Sequence, residues 1–189
     1  MSTESMERIT GTEPVMQSVG GSRGERRVLV EEAQPDEYAL AGEVAASGYE
    51  AEGEYAVMLR DVAARADAGC TVLVARDAGS RELLGTISLA PHGSAWADIS
   101  HDGEIELRML AVLRSARGRG VGEALMRGAE EHARAQGWGR AVLCVDTVDG
   151  PSGPHRLYER CGFRHDAERD YIGWWRDPGP VMWVFTKTL

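Results

Sequence analysis

Long apolar runs, paired cysteines and excess positive charge are what this sequence has least of. No stretch approaches eighteen apolar residues, which excludes a helical membrane span. The opening MSTESMERITGTEPVMQSVGG is interrupted by Glu4, Glu7, Arg8 and Glu13, so it holds no signal-peptide apolar core. With neither feature, a cytoplasmic protein is expected. Cysteine occurs three times, as Cys70, Cys144 and Cys161, and no pair is spaced like a zinc knuckle or a redox Cys-x-x-Cys. Reduced thiols and no bound metal follow as the expectation. Cys144, inside the apolar run AVLCV, reads as inert core. The formal net charge is −9, so the chain has no global attraction for phosphate backbones. Neither nucleic acid nor membrane is an expected partner. No internal repeat is present.

What is there describes one globular domain. The 189 residues are 43% hydrophobic and 27% charged, enough for a two-layer core. Residues 1–26 are rich in Ser, Thr, Gly, Glu and Arg without periodicity, and read as a disordered tail. Residues 27–189 form the domain. RVLVEEA reads as a first strand, and Pro35 opens a helix running to about Ala46. Tyr55, Met58, Leu59, Val62 and Ala66 recur at helical spacing, predicting a single second helix over 54–67. CTVLVARD and ELLGTISLA form a hairpin across a polar turn, and a wet loop follows over 91–103. EIELRMLAVL is a long strand with Ile105, Leu107 and Met109 expected on one face. A strong helix over 121–136 is closed by Gly137. Then come a strand at 140–146, a short helix at 155–160, a strand starting at 162, and a last strand, VMWVFTKTL. Strands and helices mix without strict alternation, which gives an α+β class with a mixed sheet.

The chemistry concentrates where the long strand passes through RSARGRGVG into a helix. Gly118, Gly120 and Gly122 stand at or just before the helix start, where a ligand can approach the backbone closely. The first amides of a helix are unpaired and its dipole makes that end positive, which suits a phosphate or pyrophosphate. Arg117 and Arg119 add cationic donors. The same pattern also fits a tight turn with solvated arginines. The glycines alternate, so the spacing Gly-x-Gly-x-x-Gly is absent, and so is the Gly-Lys-Ser/Thr ending of a nucleotide P-loop.

Arg117-Gly118-Arg119-Gly120-Val121-Gly122 resembles the pyrophosphate loop Arg/Gln-x-x-Gly-x-Gly/Ala of the GNAT acyltransferases, preceded as in that family by a strand ending Leu110-Ala111-Val112. About forty residues on, Leu157-Tyr158-Glu159-Arg160-Cys161-Gly162-Phe163 resembles the family's Leu-Tyr-x-x-x-Gly-Phe. The resemblance covers about 27–189 and is specific over 104–163. One departure stands out: many relatives open the Tyr helix with Asn and Ala, whereas here the stretch is Gly150-Pro151-Ser152-Gly153-Pro154-His155. Ser152 or the prolines are left to start that helix.

The resemblance implies a central, mixed, mostly antiparallel sheet flanked by helices and splayed between its fourth and fifth strands. It implies transfer of an acetyl group from acetyl-CoA to a primary amine of a small molecule or peptide by direct attack, with no metal and with a homodimer as one assembly. Carried over residue by residue, Leu110, Ala111 and Val112 would hold the pantetheine and thioester through their backbone, and Arg117, Gly118, Arg119, Gly120, Val121 and Gly122 the pyrophosphate. Tyr158 would be the general acid at the thioester sulfur, and Glu106 the general base. For Tyr158 the plain alternative is a core ring with a satisfied hydroxyl; for Glu106 it is a solvated strand carboxylate. Glu104 shares the strand phase of Glu106, and Arg108 is placed to pair with it. His155, Cys161, Trp174 and Trp175 have weaker claims, as a base, a packing thiol and pocket-lining rings. Tyr49-Glu50-Ala51-Glu52-Gly53-Glu54-Tyr55 suggests an acidic, aromatic border that would favour a cationic or polyamine-like acceptor. Competing readings are a non-catalytic acyl-CoA sensor on the same fold and a kinase or NTPase. Tyr158 and Glu106 argue against the first; the absent Lys-Ser/Thr and acidic metal ligands oppose the second.

Overall fold

The computed structural model describes residues 15–18, 27–147, 153–173 and 179–189. Nine strands among them form one sheet in the order β1-β2-β3-β4-β5-β6-β9-β7, with β8 also on β9. They are β1 (Val15–Ser18), β2 (Arg27–Glu32), β3 (Thr71–Asp77), β4 (Leu83–Pro91), β5 (Glu104–Val112), β6 (Arg140–Asp146), β7 (Arg164–His165), β8 (Tyr171–Ile172) and β9 (Val181–Thr188). Every pair is antiparallel except β5 with β6. The sheet is therefore mixed and mostly antiparallel, as expected. Val15–Ser18, inside the stretch read as a tail, pairs with β2 from Val15↔Val30 to Ser18↔Arg27.

Strand alternation sorts the core into two layers. Leu73 and Ala75 on β3 join one cluster with Leu125, Met126 and Ala129 of α4 (Val121–Ala135), while Val72 and Val74 join another with Ala41 and Val44 of α1 (Tyr38–Tyr49). Successive strand side chains point to opposite faces, so α4 and α1 cover opposite sides of the sheet. Gly128 permits the closest contact on the α4 side. A Cβ there would lie 2.6 Å from Val30 Cγ1, so α4 sits on β2 only because position 128 has no side chain.

Two expectations need correction. The single helix expected over 54–67 is two helices, α2 (Gly53–Arg60) and α3 (Val62–Asp67). Asp61 breaks it by turning its Oδ1 onto the Ala64 amide at 3.0 Å, a local cap that competes with continued helix. Arg65 then donates to the last carbonyls of α2, Met58 and Leu59. The apolar pattern runs through the break because Leu59 and Val62 are both buried.

The second correction concerns β5. Ile105 and Leu107 face the α4 layer, but Met109 and Ala111 join the opposite cluster, while Leu110 and Val112 pack against the α4 layer. A bulge causes the change of face. The register against β4 slips between Thr86 and Ser88, and Met109 takes φ 54°. A left-handed residue with a side chain costs on the order of 1–3 kcal/mol and is kept only where its surroundings impose it.

Candidate functional site

The bulge opens the site. β5 and β6 pair in parallel only at Glu104↔Arg140, Ile105↔Ala141 and Glu106↔Val142. Beyond Glu106 no further pairing joins them, although both strands continue. A bulge bends its strand and raises its twist, which carries the Leu110-Ala111-Val112 end of β5 away from β6. The sheet is thus splayed between the fourth and fifth strands counted from Arg27–Glu32. The backbone groups of this end on its β6 side meet no neighbouring strand. On the other side α1 presses close: a Cβ on Gly48 would lie 2.8 Å from the Ala111 Cβ.

The glycine turn stands at the mouth of this gap. After a 3-10 turn at Arg114–Ala116, Gly118 and Gly120 adopt φ 73° and 77°, and Gly120 caps α4. A Cβ on Gly118 would meet nothing, so glycine there serves backbone conformation alone. Gly122 differs: its Cβ would stand 3.1 Å from Leu157 Cδ2, so it serves the contact between α4 and α5 (Gly153–Arg160). Arg117 donates to the Gly48 carbonyl at 2.7 Å and lies 3.5 Å from Glu50. Arg114 holds the same Glu50 oxygen at 2.7 Å. Arg119 pairs with Asp77 at 3.3 Å, and its Nε is buried with no partner among the described residues. Val121 is buried beneath the turn. The residues singled out from 117 to 122 therefore gather at the positive end of a fifteen-residue helix. Left-handed glycines, free helix amides and arginines form a donor set that fits a pyrophosphate.

Glu106 lies on the α1 face of β5, just where the gap begins. It is 1% exposed. Its Oε2 accepts from the amides of Asp98 and Ile99, both at 2.8 Å, and its Oε1 is 3.3 Å from Arg108. Burial raises its carboxyl pKa above the usual value, and the Ile99 amide and Arg108 only partly offset that. Arg108 also holds Asp98 and the Trp96 carbonyl. The β4–β5 loop, expected to be merely wet, is laced down by these side chains.

Tyr158 stands on α5 with its ring packed 6.4 Å from Phe163 and 5.9 Å from Phe185. It is 8% exposed. Burial, then Cys144 and Cys161, raise its pKa, so the hydroxyl keeps its proton. Cys144 is the correction on β6: it is only partly buried, and accepts from the Tyr171 hydroxyl at 3.3 Å. Burial raises the Cys144 thiol pKa, so it stays protonated, and Tyr49, Tyr158 and Tyr171 lie around it. The cleft thus brings together Glu106, Arg108, Cys144, Tyr158, Tyr49 and Tyr171. Tyr171 was not recognised from sequence. Cys144 was legible in strand phase, because Val142 opposes Glu106 and Cys144 lies two residues further on the same face.

Other candidates stand apart. Glu104 is held by both Arg169 nitrogens, at 3.0 and 2.9 Å, and by the His101 amide, which makes it a structural anchor. His155 is 2% exposed, set edge-on to Trp183 and Phe185, and burial lowers its pKa, so it stays neutral. Burial pushes the Cys161 thiol up to about 11, as suits packing. Trp174, Trp175 and the Gly150–Ser152 departure lie outside the described residues. Glu50 is occupied by Arg114 and Arg117, which overturns its reading as a free acceptor-side charge. No group of three or more potential metal ligands occurs among the described residues, and no described helix is long and apolar enough to cross a membrane.

The sequence profile of the Acetyltransferase (GNAT) family matches residues 29–163. No curated protein matches the chain. Among solved structures, a GNAT-family protein from Desulfovibrio desulfuricans superposes with a TM-score of 0.70 at 18% identity, over 85% of this chain and 98% of its own. The ribosomal-protein-alanine N-acetyltransferase of Brucella melitensis gives 0.64 at 18%, over 85% and 99%. The yncA protein of Salmonella typhimurium, solved with its cofactor acetyl-CoA, gives 0.61 at 21%, over 86% and 94%. At these identities the likeness is one of fold.

Proposed function

Because the chain belongs to the GNAT acetyltransferase family, we propose that it transfers an acetyl group from acetyl-CoA to a primary amine by direct attack. The observation that carries this reading is the parting of β5 from β6 beside the glycine-capped start of α4, with Glu106 and Tyr158 in the same cleft. Gly118, Gly120 and the first amides of α4, with Arg117 and Arg119, hold the pyrophosphate; Val121 and Gly122 set the packing beneath it. The open backbone edge of Leu110, Ala111 and Val112 takes the pantetheine. A backbone amide there stabilises the oxyanion formed at the thioester carbonyl.

The chain's own residues supply the proton steps. Glu106, directly or through one water, takes the proton that the substrate ammonium must lose before its nitrogen attacks. Attack forms the C–N bond and the tetrahedral oxyanion; its collapse breaks the C–S bond, the Tyr158 hydroxyl protonates the departing CoA thiolate, and the second proton lost by the nitrogen restores the phenol. Burial makes the Glu106 carboxylate a stronger base and keeps the Tyr158 phenol in its protonated form.

The test is thiol release from acetyl-CoA across a panel of amines. Tyr158→Phe is expected to lower kcat by about a hundredfold, the scale of one lost acid–base group. The acetyl-CoA Kd should stay near wild type because the ring packing remains. A kcat within threefold of wild type, on the order of measurement scatter against that scale, removes Tyr158 from the chemistry.

A further inference from the structure

The acceptor side of the cleft has a chemistry of its own. Tyr49 ends α1 and Tyr55 lies in the first turn of α2, and their rings meet edge to face at 5.8 Å and 84°. They keep 41% and 44% of their surface, yet burial raises the pKa of both hydroxyls. Gly48, the neighbour of Tyr49, presses on the open end of β5, where its Cβ would lie 2.8 Å from the Ala111 Cβ, so the ring pair stands beside the cleft that holds Glu106. The α1-side cluster, to which α1 and α2 both contribute, is apolar: Ala45, Ala46, Leu59, Met109 and Ala111, with Met58 and Trp96 packed against it. The Trp96 ring lies 5.7 Å from the Arg65 guanidinium carbon.

The charges along this wall are already matched. Glu50 is held by Arg114 and Arg117, Asp98 by Arg108, and Glu106 by two amides beside Arg108. Glu52 and Glu54 stand exposed at the start of α2, where the helix dipole accommodates acids. Glu50, Asp98 and Glu106 thus offer no free charge to a polyamine, and among the acids named here only Glu52 and Glu54 are left without an ion-pair partner. What the wall does expose is the Tyr49–Tyr55 ring pair. Resting on the acetyl-transfer reading above, we infer that the acceptor is a primary amine carried on an aromatic or bulky apolar body. The body lies against Tyr49 and Tyr55, and the amine points toward Glu106. Offset and edge-to-face ring contacts supply the selectivity beyond plain burial.

The experiment compares kcat/KM for 2-phenylethylamine, ethylamine and spermidine in the full chain. The expected order places 2-phenylethylamine first. Tyr55→Ala is expected to reduce the ratio of 2-phenylethylamine to ethylamine by about tenfold, the loss of about 1.4 kcal/mol of ring contact. Tyr55→Phe keeps the ring and should retain the ratio. Tyr55 is half exposed, so the alanine variant should fold, which circular dichroism checks. Preference for spermidine or ethylamine, or an unmoved ratio in Tyr55→Ala, overturns this inference and leaves acetyl transfer standing. No CoA release with any of the three, in protein that binds acetyl-CoA by calorimetry, overturns both.

Discussion

The two halves of β5 use one strand for opposite purposes. From Glu104 to Arg108 the side chains carry the work: three ionisable groups, facing the same side, fasten the β4–β5 loop through Asp98, Ile99 and His101. From Met109 to Val112 the side chains only pack, and the backbone is what lies open, because the bulge has released it from β6. The first half is closed by satisfied polar contacts, the second opened by unsatisfied ones. Glu104 and Glu106 sharpen the contrast. They stand two residues apart in one phase, yet Arg169 draws the Glu104 carboxyl below its usual range against the cost of burial, whereas burial prevails at Glu106 and raises it. A charge inside a strand acquires its role from its partners.

The contrast breaks most visibly if the open half loses its phosphate end. Gly120→Glu puts a carboxylate at the positive end of α4, and CoA affinity is expected to fall about a thousandfold by calorimetry. Gly120→Ala imposes the same left-handed backbone without the charge, and should cost about tenfold or less. Equal losses in the two would mean that backbone strain, not phosphate binding, explains the site.

On the closed half, Arg169→Ala removes the partner that embraces Glu104 and also holds the Ile99 carbonyl. Breaking a buried pair from one side costs about 3 kcal/mol, read by chemical denaturation at an unchanged m-value. The sign of its pH dependence follows from the lowered carboxyl. The stability contributed by Glu104 is present above its unfolded pKa and is lost as pH falls through the folded one. Arg169→Ala should flatten that acid limb. Full stability in the variant would show that the loop does not depend on this anchor.

Much of this arrangement was legible in the sequence, and what was hidden has physical causes. The order of elements, the glycine turn, α4 and the two motifs follow from local chemistry: periodicity, glycine at left-handed positions, and charge at a helix start. The break at Asp61 was hidden because an apolar stripe continues through it while a side-chain cap redirects the backbone. The face switch at Met109 was hidden because a bulge adds one residue without leaving a glycine to mark it. Arg169 meets Glu104 across 65 residues, and Arg114 meets Glu50 across 64. Such pairings are set by tertiary register, which no local pattern carries.

Glu106 joins the halves, and its titration tells whether it belongs to the chemistry as well as to the loop. As the base it must be ionised, so kcat/KM should fall as pH drops through a pKa raised above the usual glutamate range. Glu106→Gln keeps an oxygen for the Asp98 and Ile99 amides but has no basic form. Activity at neutral pH is expected to drop about a hundredfold, and this acid limb to vanish. A retained limb in a folded Glu106→Gln protein would confine the residue to the closed half.

The smallest effect concerns the border where the open half meets α1. Glu50, itself left-handed at φ 52°, lowers its own carboxyl pKa by binding Arg114 and Arg117. It thereby neutralises two of the cations nearest the glycine turn. Arg117 is also tied to the Gly48 carbonyl, so it should keep its place when the acid is removed. Glu50→Gln is therefore expected to tighten CoA binding by about threefold at low salt, since one negative charge leaves the neighbourhood of a bound pyrophosphate. All three groups are exposed, with side-chain exposures of 77%, 48% and 53% for Arg114, Arg117 and Glu50. The gain should accordingly fade as salt shortens the Debye length to about 3 Å near 1 M. A fall in affinity would instead make Glu50 an orienting residue for the arginines. That would move the boundary of the open half from the end of β5 into the last turn of α1.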